Sequence, residues 1–334
     1  MPYLLYYAGM AQDRVTEQIG LAISDDGESF KRAGSGLILP VDPKMPWKNL
    51  RTCNPTVLQE EGRFLMFYQG ISAQHQVSIG VAKSMDGIEW QCEELPAITA
   101  ESGSDLLASA DHETTAVIEP AVIRENGRYR MWFISRGAKE PGNRLHHASS
   151  ADGLAWEVDK ADLVTGNIFG QDCRIHYPQV TIGNRGYAVD LSVRKPNGWF
   201  SVYRGFSHDG FSMSGWQELP YSNVRAPIWR RALNKFHITS CPYSHGLAHS
   251  HIVEGDSVKR VYFHAYHLDR QRRSYMDVVV MGLDAGARLT SVLQRCQERS
   301  AWDSFFVADP YVIRLSKPLG KLSMWQGDRS ATGH

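Results

Sequence analysis

The chain repeats one short turn motif, and this repetition constrains the fold more than any other feature of the sequence. Ser-x-Asp-Gly followed by an aromatic residue occurs in AISDDGESF (22–30), AKSMDGIEW (82–90), ASSADGLAW (148–156) and GFSHDGFSMSGW (205–216). Asp-Gly favours a turn because Asp bonds to nearby backbone amides and Gly accepts a positive φ. The turns recur roughly every 60 residues, which indicates a repeated supersecondary unit. We expect the repeated aspartates to be structural: Asp26, Asp86, Asp152 and Asp209.

A second pattern precedes the later turns. X-Pro-x-Val, then a polar turn with Gly, then alternating bulky residues appear in NPTVLQEEGRFLMFYQG (54–70), EPAVIRENGRYRMWFISRG (119–137) and YPQVTIGNRGYAVDLSV (177–193). HSHIVEGDSVKRVYFHAY (249–266) fits more loosely and lacks the proline. Alternation of this kind, rich in Val, Ile, Tyr and Phe, predicts β-strands. Each unit is therefore predicted to be a four-stranded antiparallel meander, as in one blade of a β-propeller.

The first unit lacks its opening strand at the N-terminus. YLLYYAG (3–9) corresponds to FLMFYQG of the second unit, and the missing X-Pro-x-Val strand is found in VADPYVIRL (307–315). We therefore expect this late strand to pair with the N-terminal strands, which would remove exposed sheet edges. The sequence predicts an all-β fold: a single five-bladed β-propeller with four-stranded antiparallel blades, closed by that pairing.

The predicted propeller is one domain over residues 1–334. Its blades are expected at 305–316 with 1–31, at 51–92, at 115–158, at 172–218 and at 236–290, and residues 320–334 are expected to form a flexible tail.

Composition narrows the function classes. The chain has 36 basic and 36 acidic residues, a balance that argues against nucleic acid or an anionic membrane surface as a partner. No stretch approaches the roughly 18 apolar residues of a membrane span, and MPYLLYYAGM is typical of a strand, not of a signal peptide. The five cysteines contain no CxxC pair, which suits a reducing compartment, so a cytoplasmic location is expected. Oligomeric state is not predicted.

With these motifs the chain resembles the five-bladed propeller glycosidases: the family 43 arabinanases and xylosidases, the family 32 and 68 fructan enzymes, and the family 130 mannoside phosphorylases. In those enzymes the innermost strands begin at a central funnel, and their first residues carry the catalytic carboxylates. The resemblance implies hydrolysis or phosphorolysis of a glycosidic bond in a small-molecule or oligosaccharide substrate. The matching funnel positions are Asp309, Asn54, Glu119, Tyr177 and His249.

The resemblance also implies roles for these residues. Asp309 matches the aspartate that serves as base or nucleophile. Glu119 stands where the third blade offers an aspartate that positions the substrate and tunes the neighbouring acid. His249 matches a histidine that, in several family 43 members, faces a central cation through water.

The chain departs from the family pattern on the fourth blade. There the family 43 and 32 enzymes place the general-acid glutamate, whereas this sequence has DCRIHYPQV with Tyr177 at the aligned position. Because glycoside hydrolysis needs an acid and a second carboxylate, Asp172 or Glu119 is a candidate for the missing acid. In the phosphorylase alternative, phosphate attacks and basic side chains hold the anion; the candidates are Arg51, Arg174 and Arg136.

Further side chains are candidates for binding. Substrate contacts are expected from Asn54, Arg51, Tyr177, Arg174, His249 and Tyr243. A metal site is an alternative, because residues i and i+2 of a strand share a face and His176 lies beside the fourth funnel position. The predicted ligands are His176, His249 and His251.

Three functions follow from these candidates. The leading hypothesis is a glycosidase-like enzyme that requires no cofactor and uses Asp309 and Glu119 as catalytic residues, with Asp172 as a further catalytic candidate. The second is a metal-dependent enzyme with Ca, Zn, Fe or Mn on the propeller axis, since imidazole and carboxylate ligands suit several divalent metals. The third is a non-catalytic carbohydrate-binding propeller, which the absent fourth-blade glutamate favours.

Overall fold

The computed structural model describes residues 2–102, 114–137, 143–220, 224–254, 258–283 and 289–315, and the statements below concern these residues. The expected tail at 320–334 lies outside them. The described part of the protein is all-β, with one short α-helix, α1 (Ile228–Lys235), and two 3-10 turns. None of its helices has the length and apolar character needed to cross a membrane.

Antiparallel pairing groups the described strands into five sets of four. The first set is β20 (Phe306–Arg314), β1 (Tyr3–Met10), β2 (Glu17–Ser24) and β3 (Lys31–Leu39). The second is β4 (Arg51–Glu60), β5 (Arg63–Ile71), β6 (Val77–Ser84) and β7 (Gln91–Cys92). The third is β8 (Thr114–Glu125), β9 (Arg128–Gly137), β10 (Arg144–Ser150) and β11 (Glu157–Thr165).

The fourth set is β12 (Arg174–Gly183), β13 (Gly186–Arg194), β14 (Phe200–Ser207) and β15 (Ser214–Glu218). The fifth is β16 (Leu247–Glu254), β17 (Lys259–Leu268), β18 (Ser274–Gly282) and β19 (Leu289–Leu293). The outer strands of the first, third and fifth sets run past the boundaries expected from sequence, to residues 39, 165 and 293.

The two ends of the described residues pair with each other as the sequence predicts. β20 lies antiparallel to β1, with Tyr3 opposite Arg314 and Met10 opposite Phe306. A late strand thus supplies the innermost position of the first set.

The repeated aspartates hold the turns between the third and fourth strands. In each turn one carboxylate oxygen accepts the two backbone N–H groups that lie two and three residues further on, at 2.7–3.0 Å. The serine two residues before the aspartate accepts the glycine N–H. These contacts give the aspartates the structural role expected of them.

Aromatic side chains connect three of these turns to a neighbouring set by hydrogen bonds. The Tyr6 hydroxyl donates to the Gly87 carbonyl at 2.9 Å, Trp132 Nε1 to Gly210 at 2.8 Å, and the Tyr262 hydroxyl to Gly27 at 2.7 Å. The last of these contacts joins the fifth set to the first. The apolar core also lies between neighbouring sets, with clusters that combine residues of the first and second, second and third, third and fourth, fourth and fifth, and fifth and first.

The innermost strand of each set carries the same backbone irregularity. The residue before the X-Pro proline, or its equivalent, has φ between 49° and 58° in every set, and the strand register shifts there. These residues are Asn54, Glu119, Tyr177, His249 and Asp309. Left-handed backbone at a residue other than glycine costs free energy and concentrates at functional sites. All five positions that the sequence assigned to the funnel therefore share one strained conformation.

Candidate active site

The innermost strands bring the predicted funnel residues together. β4 contacts β8, β8 contacts β12, β12 contacts β16, β16 contacts β20, and β20 contacts β4. The Tyr177 backbone N–H donates to Glu119 Oε2 at 2.8 Å, and the Tyr177 ring stacks on His249 with 4.9 Å between centroids. His249 Nδ1 in turn lies 3.3 Å from Asp309 Oδ1. Glu119, Tyr177, His249 and Asp309 thus form a continuous series of contacts.

The fifth funnel residue, Asn54, belongs to the same buried region. Its Nδ2 donates to Gln69 Oε1 at 3.1 Å, and its Oδ1 is buried without a hydrogen-bond partner among the described residues. A buried acceptor of this kind is a natural place for a substrate hydroxyl to donate.

Asp309 is a buried carboxylate held by two imidazoles. Its side chain is 6% exposed, and Oδ1 lies 3.3 Å from His249 Nδ1 and 3.2 Å from His264 Nδ1. Burial alone would raise the pKa of Asp309, but the hydrogen bonds and charges of His249 and His264 lower it below its usual range. Asp309 is therefore ionised at neutral pH, as a base or nucleophile must be.

Glu17, at the start of β2, is a second carboxyl group beside Asp309. One oxygen of each carboxyl group and Cys53 Sγ all lie within 4.8 Å of one another. Burial raises the pKa of Glu17 to about 8; the charge of Asp309 adds to this shift and that of Arg51 opposes it. The pair thus holds one ionised and one protonated carboxyl group at neutral pH, a combination that marks acid and base partners in enzymes.

Glu119 is fixed by the fourth set. Its Oε1 lies 3.1 Å from His176 Nδ1, while Oε2 accepts the Tyr177 N–H. With its side chain 6% exposed, Glu119 holds the left-handed residue of the next innermost strand in place.

A cavity of about 620 Å³ opens at this end of the innermost strands. Four of the sequence candidates line it, Glu119, His176, Tyr177 and Arg174, together with Arg136 of the phosphorylase alternative. Side chains that the sequence did not single out for the site complete it, among them Arg194, Phe200, His245 and Tyr266.

The structure does not bring together the predicted metal ligands His176, His249 and His251. Both ring nitrogens of His251 are used within the fold, Nε2 with the Val312 carbonyl at 2.8 Å and Nδ1 with Gln179 Oε1 at 3.2 Å. The strand alternation that placed His249 and His251 on one face is broken by the irregularity at His249, because such a bulge shifts the register.

The imidazoles that do converge with a carboxylate are those of His249 and His264. Their ligand atoms and one of Asp309 all lie within 4.8 Å of one another. His264 therefore replaces His176 and His251 in any metal site on these residues.

Three other candidates lie apart from the contacts at Asp309. Asp172 is exposed on the loop before β12, which removes its support as the missing acid. Tyr243 packs against His267, with ring centroids 5.5 Å apart. Arg51 donates from Nε to the Val15 carbonyl at 3.0 Å, and its charge lowers the pKa of Glu17 against the effect of burial.

Two functional residues were missed by sequence reasoning, and the repeat contains a signal for each. His264 lies opposite Ala248, the residue just before the left-handed residue His249. The residues equivalent to His264 in the second and fourth sets are Gln69 and Ser192. Gln69 bonds to Asn54, and Ser192 accepts the His249 N–H. Glu17 is the first residue of β2, the third strand of the first set. The equivalent strand of the second set, β6, begins with Val77. Extending the alignment beyond the innermost strands would have exposed both polar positions.

Comparison with known proteins supports the fold. No family model matches the chain. Uncharacterized proteins of Mycobacterium tuberculosis strains CDC 1551 / Oshkosh and ATCC 25618 / H37Rv are each 34% identical over 225 residues, 64% of this chain and 64% of theirs. The match thus spans just under two thirds of those relatives.

Solved structures with similar folds include several glycosidases. An exo-1,5-α-L-arabinanase from a bovine ruminal metagenomic library superposes with a TM-score of 0.55 at 16% identity, covering 87% of this chain and 92% of its own. An α-L-arabinanase mutant from Cellvibrio cellulosa gives 0.55 at 14% identity, covering 91% and 95%. The family 32 β-fructofuranosidase of Bombyx mori gives 0.56 at 14% identity, covering 87% and 59%. These comparisons show that the chain shares the fold of these solved glycosidase structures.

Proposed function

We propose that this protein is a five-bladed, closed propeller enzyme that cleaves a glycosidic bond in a carbohydrate bound at the mouth of the innermost strands. The observation that carries the proposal is the proximity of two buried carboxyl groups, those of Asp309 and Glu17, within 4.8 Å of one another, with their pKa values shifted in opposite directions. The fold of the similar glycosidases and the five left-handed residues facing one region support it.

Asp309 is the base or nucleophile in this proposal. Its Oδ1 lies 3.3 Å from His249 Nδ1 and 3.2 Å from His264 Nδ1, and an imidazole that carries its proton on Nδ1 donates a hydrogen bond to this oxygen. A fixed, desolvated carboxylate of this kind can attack the anomeric carbon or take a proton from an attacking water.

Glu17 is the proton donor in this proposal and supplies the acid that the fourth blade lacks. A carboxyl group that keeps its proton to about pH 8 can deliver it to the leaving oxygen at neutral pH. Glu119 positions Tyr177 and lines the cavity, and it is the second candidate for the acid.

Leaving-group dependence tests these roles. Aryl glycosides of several sugars would be assayed with purified protein carrying Asp309→Asn, Glu17→Gln or Glu119→Gln. Loss of a general acid slows cleavage of a glycoside with a poor leaving group by about 10²–10⁴-fold. Cleavage of a dinitrophenyl glycoside is little affected, because the departing phenolate needs no proton. Asp309→Asn is expected to abolish cleavage of both kinds. Glu28→Gln, on an exposed turn of the same set, is the matched control.

The outcomes separate the assignments. If Glu119→Gln rather than Glu17→Gln shows the dependence on leaving group, Glu119 is the acid. Unchanged turnover in Asp309→Asn overturns the proposal. Tight sugar binding by the wild-type protein with no cleavage after long incubation identifies a carbohydrate-binding propeller.

A metal-dependent enzyme is the second candidate function. It is favoured by the convergence of His249, His264 and Asp309 and by His264 Nε2, which is buried without a hydrogen-bond partner among the described residues. Two imidazoles and a carboxylate suit Zn²⁺, Fe²⁺ or Mn²⁺, and such an ion would supply Lewis acidity at the substrate.

Elemental analysis tests this candidate on protein purified without chelator or nickel resin. Stoichiometric zinc, iron or manganese in the wild-type protein and in His208→Gln, an exposed control, but not in His264→Gln, supports a metal centre. If the protein contains none of these metals, or only calcium, the result favours catalysis by the two carboxyl groups over a metal centre.

A further inference from the structure

The cavity of about 620 Å³ beside Glu119 has an unusual charge for a protein whose formal net charge is zero. Arg136, Arg174 and Arg194 line it, and among the described lining residues Glu119 is the one acidic side chain. That carboxylate is already bonded to His176 and to the Tyr177 backbone. The cavity therefore presents an excess of positive charge.

Two of these arginines face each other directly. Arg174 begins β12 and Arg194 ends β13, and the antiparallel register places them opposite one another. Side chains opposite each other in an antiparallel pair lie on the same face with Cβ atoms about 5 Å apart, and like charges there are destabilising. The register therefore places two guanidinium side chains on one face at the cavity.

The third arginine, Arg136, reaches the cavity from the neighbouring set. Arg136 lies near the end of β9 in the neighbouring set, and its side chain is exposed at the cavity. His245 also lines the cavity, and burial and, secondarily, the charge of Arg194 lower its pKa, so its imidazole is neutral at neutral pH and the arginines supply the positive charge. Guanidinium groups from two neighbouring sets can bind a carboxylate or phosphate through several charge-assisted hydrogen bonds.

The same cavity also offers an aromatic surface. Phe200 and Tyr266 stack with ring centroids 5.1 Å apart and planes within 6°, and Tyr177 lies beside them. Aromatic faces bind the apolar face of a sugar ring, while the arginines contact a charged substituent at its edge.

We propose that the substrate of this site is an anionic saccharide, with a carboxylate or phosphate group held by Arg136, Arg174 and Arg194. This inference rests on the proposed function, since it names the substrate class of the same cavity. It predicts that neutral sugars bind weakly and are poor substrates.

Binding measurements with an inactive protein separate this inference from the catalytic proposal. Asp309→Asn protein would be titrated calorimetrically with a hexuronic acid, a hexose 6-phosphate, the neutral hexose and inorganic phosphate. We expect at least one anionic sugar to bind about tenfold or more tightly than the neutral sugar, and its affinity to fall as salt rises. Because binding does not depend on Asp309 chemistry, a failure of turnover leaves this result unaffected.

Matched arginine variants locate the binding in the cavity. Arg136→Gln and Arg194→Gln, each made in the Asp309→Asn protein, are expected to weaken binding of the anionic sugar about tenfold or more. Arg128→Gln, at the other end of β9, and Arg185→Gln, in the turn between β12 and β13, are expected to leave it unchanged. Folding of each variant is checked by its thermal transition.

Three results would overturn the inference. The first is equal binding of neutral and anionic sugars, and the second is an equal loss of affinity in the cavity and control variants. The third is binding of inorganic phosphate that depends on Arg136 and Arg194 with no preference for a charged sugar, because this identifies free phosphate as the anion.

Discussion

Asp309 and Glu17 show how one buried region can hold two carboxyl groups in opposite protonation states. Both are removed from water, which favours the neutral form. His249 and His264 reverse that preference for Asp309, whereas Glu17 faces the charge of Asp309 with only Arg51 opposing it. The pair therefore titrates as a unit, with the proton on Glu17.

Folding stability is expected to depend on pH through Glu17. Its pKa is raised from 4.5 to about 8 on folding, so between these values the folded state binds more protons than the unfolded state. The contribution of Glu17 to stability therefore falls as pH rises from about 5 to 8. The lowered pKa of Asp309 lies below this window and contributes no slope within it.

Urea unfolding at several pH values checks this expectation. The free energy of unfolding of Glu17→Gln should decline less between pH 5 and 8 than that of the wild-type protein, while the exposed control Glu28→Gln should follow the wild type. Parallel curves for Glu17→Gln and wild type would show that Glu17 does not retain its proton on folding.

At the scale of single elements, the sequence predicted the innermost strands well because their X-Pro-x-Val signal is local. It identified Asn54, Glu119, Tyr177, His249 and Asp309 as equivalent, and all five share a left-handed backbone. The sequence could not predict that this irregularity would break the strand alternation. For that reason the prediction that His249 and His251 share one face of the strand was wrong. Glu17 and His264 lie outside the innermost strands and their partner Asp309 is distant in sequence, so only an alignment of the repeats over all their strands would have singled them out.

The Ser-x-Asp-Gly turns are expected to contribute stability without affecting chemistry. In Asp86→Ala the backbone N–H groups of Ile88 and Glu89 lose their acceptor, which should cost about 1–2 kcal/mol. Met85→Ala, in the exposed x position of the same motif, should cost little. Urea midpoints give the stability change, and kcat/KM should match wild type in both variants; a loss of activity in folded Asp86→Ala would contradict this division.

At the scale of the whole molecule, each set depends on its neighbours. Tyr6 and Tyr262 make equivalent hydrogen bonds, from the first set to the second and from the fifth to the first. The contact of Tyr262 with Gly27 therefore links units that are far apart in sequence.

Tyr262→Phe tests whether the molecule unfolds as one ring. Removing the hydroxyl leaves the Gly27 carbonyl without its donor and should lower stability by about 1–2 kcal/mol, as should Tyr6→Phe. If the five sets form one cooperative unit, calorimetry will show a single transition at lower temperature in both variants, while Tyr275→Phe, within the fifth set, stays near wild type. A separate early transition in Tyr262→Phe would show that the fifth and first sets unfold independently.

The pairing of β20 with β1 has a consequence for synthesis on the ribosome. β1 emerges long before β20, and at roughly 5–20 residues per second the wait lasts on the order of tens of seconds. During that time an apolar strand, buried throughout in the finished protein, lacks its innermost partner and offers an edge to other polypeptides. A product terminated before β20 would keep that edge exposed and would also lack Asp309, which lies on the same strand.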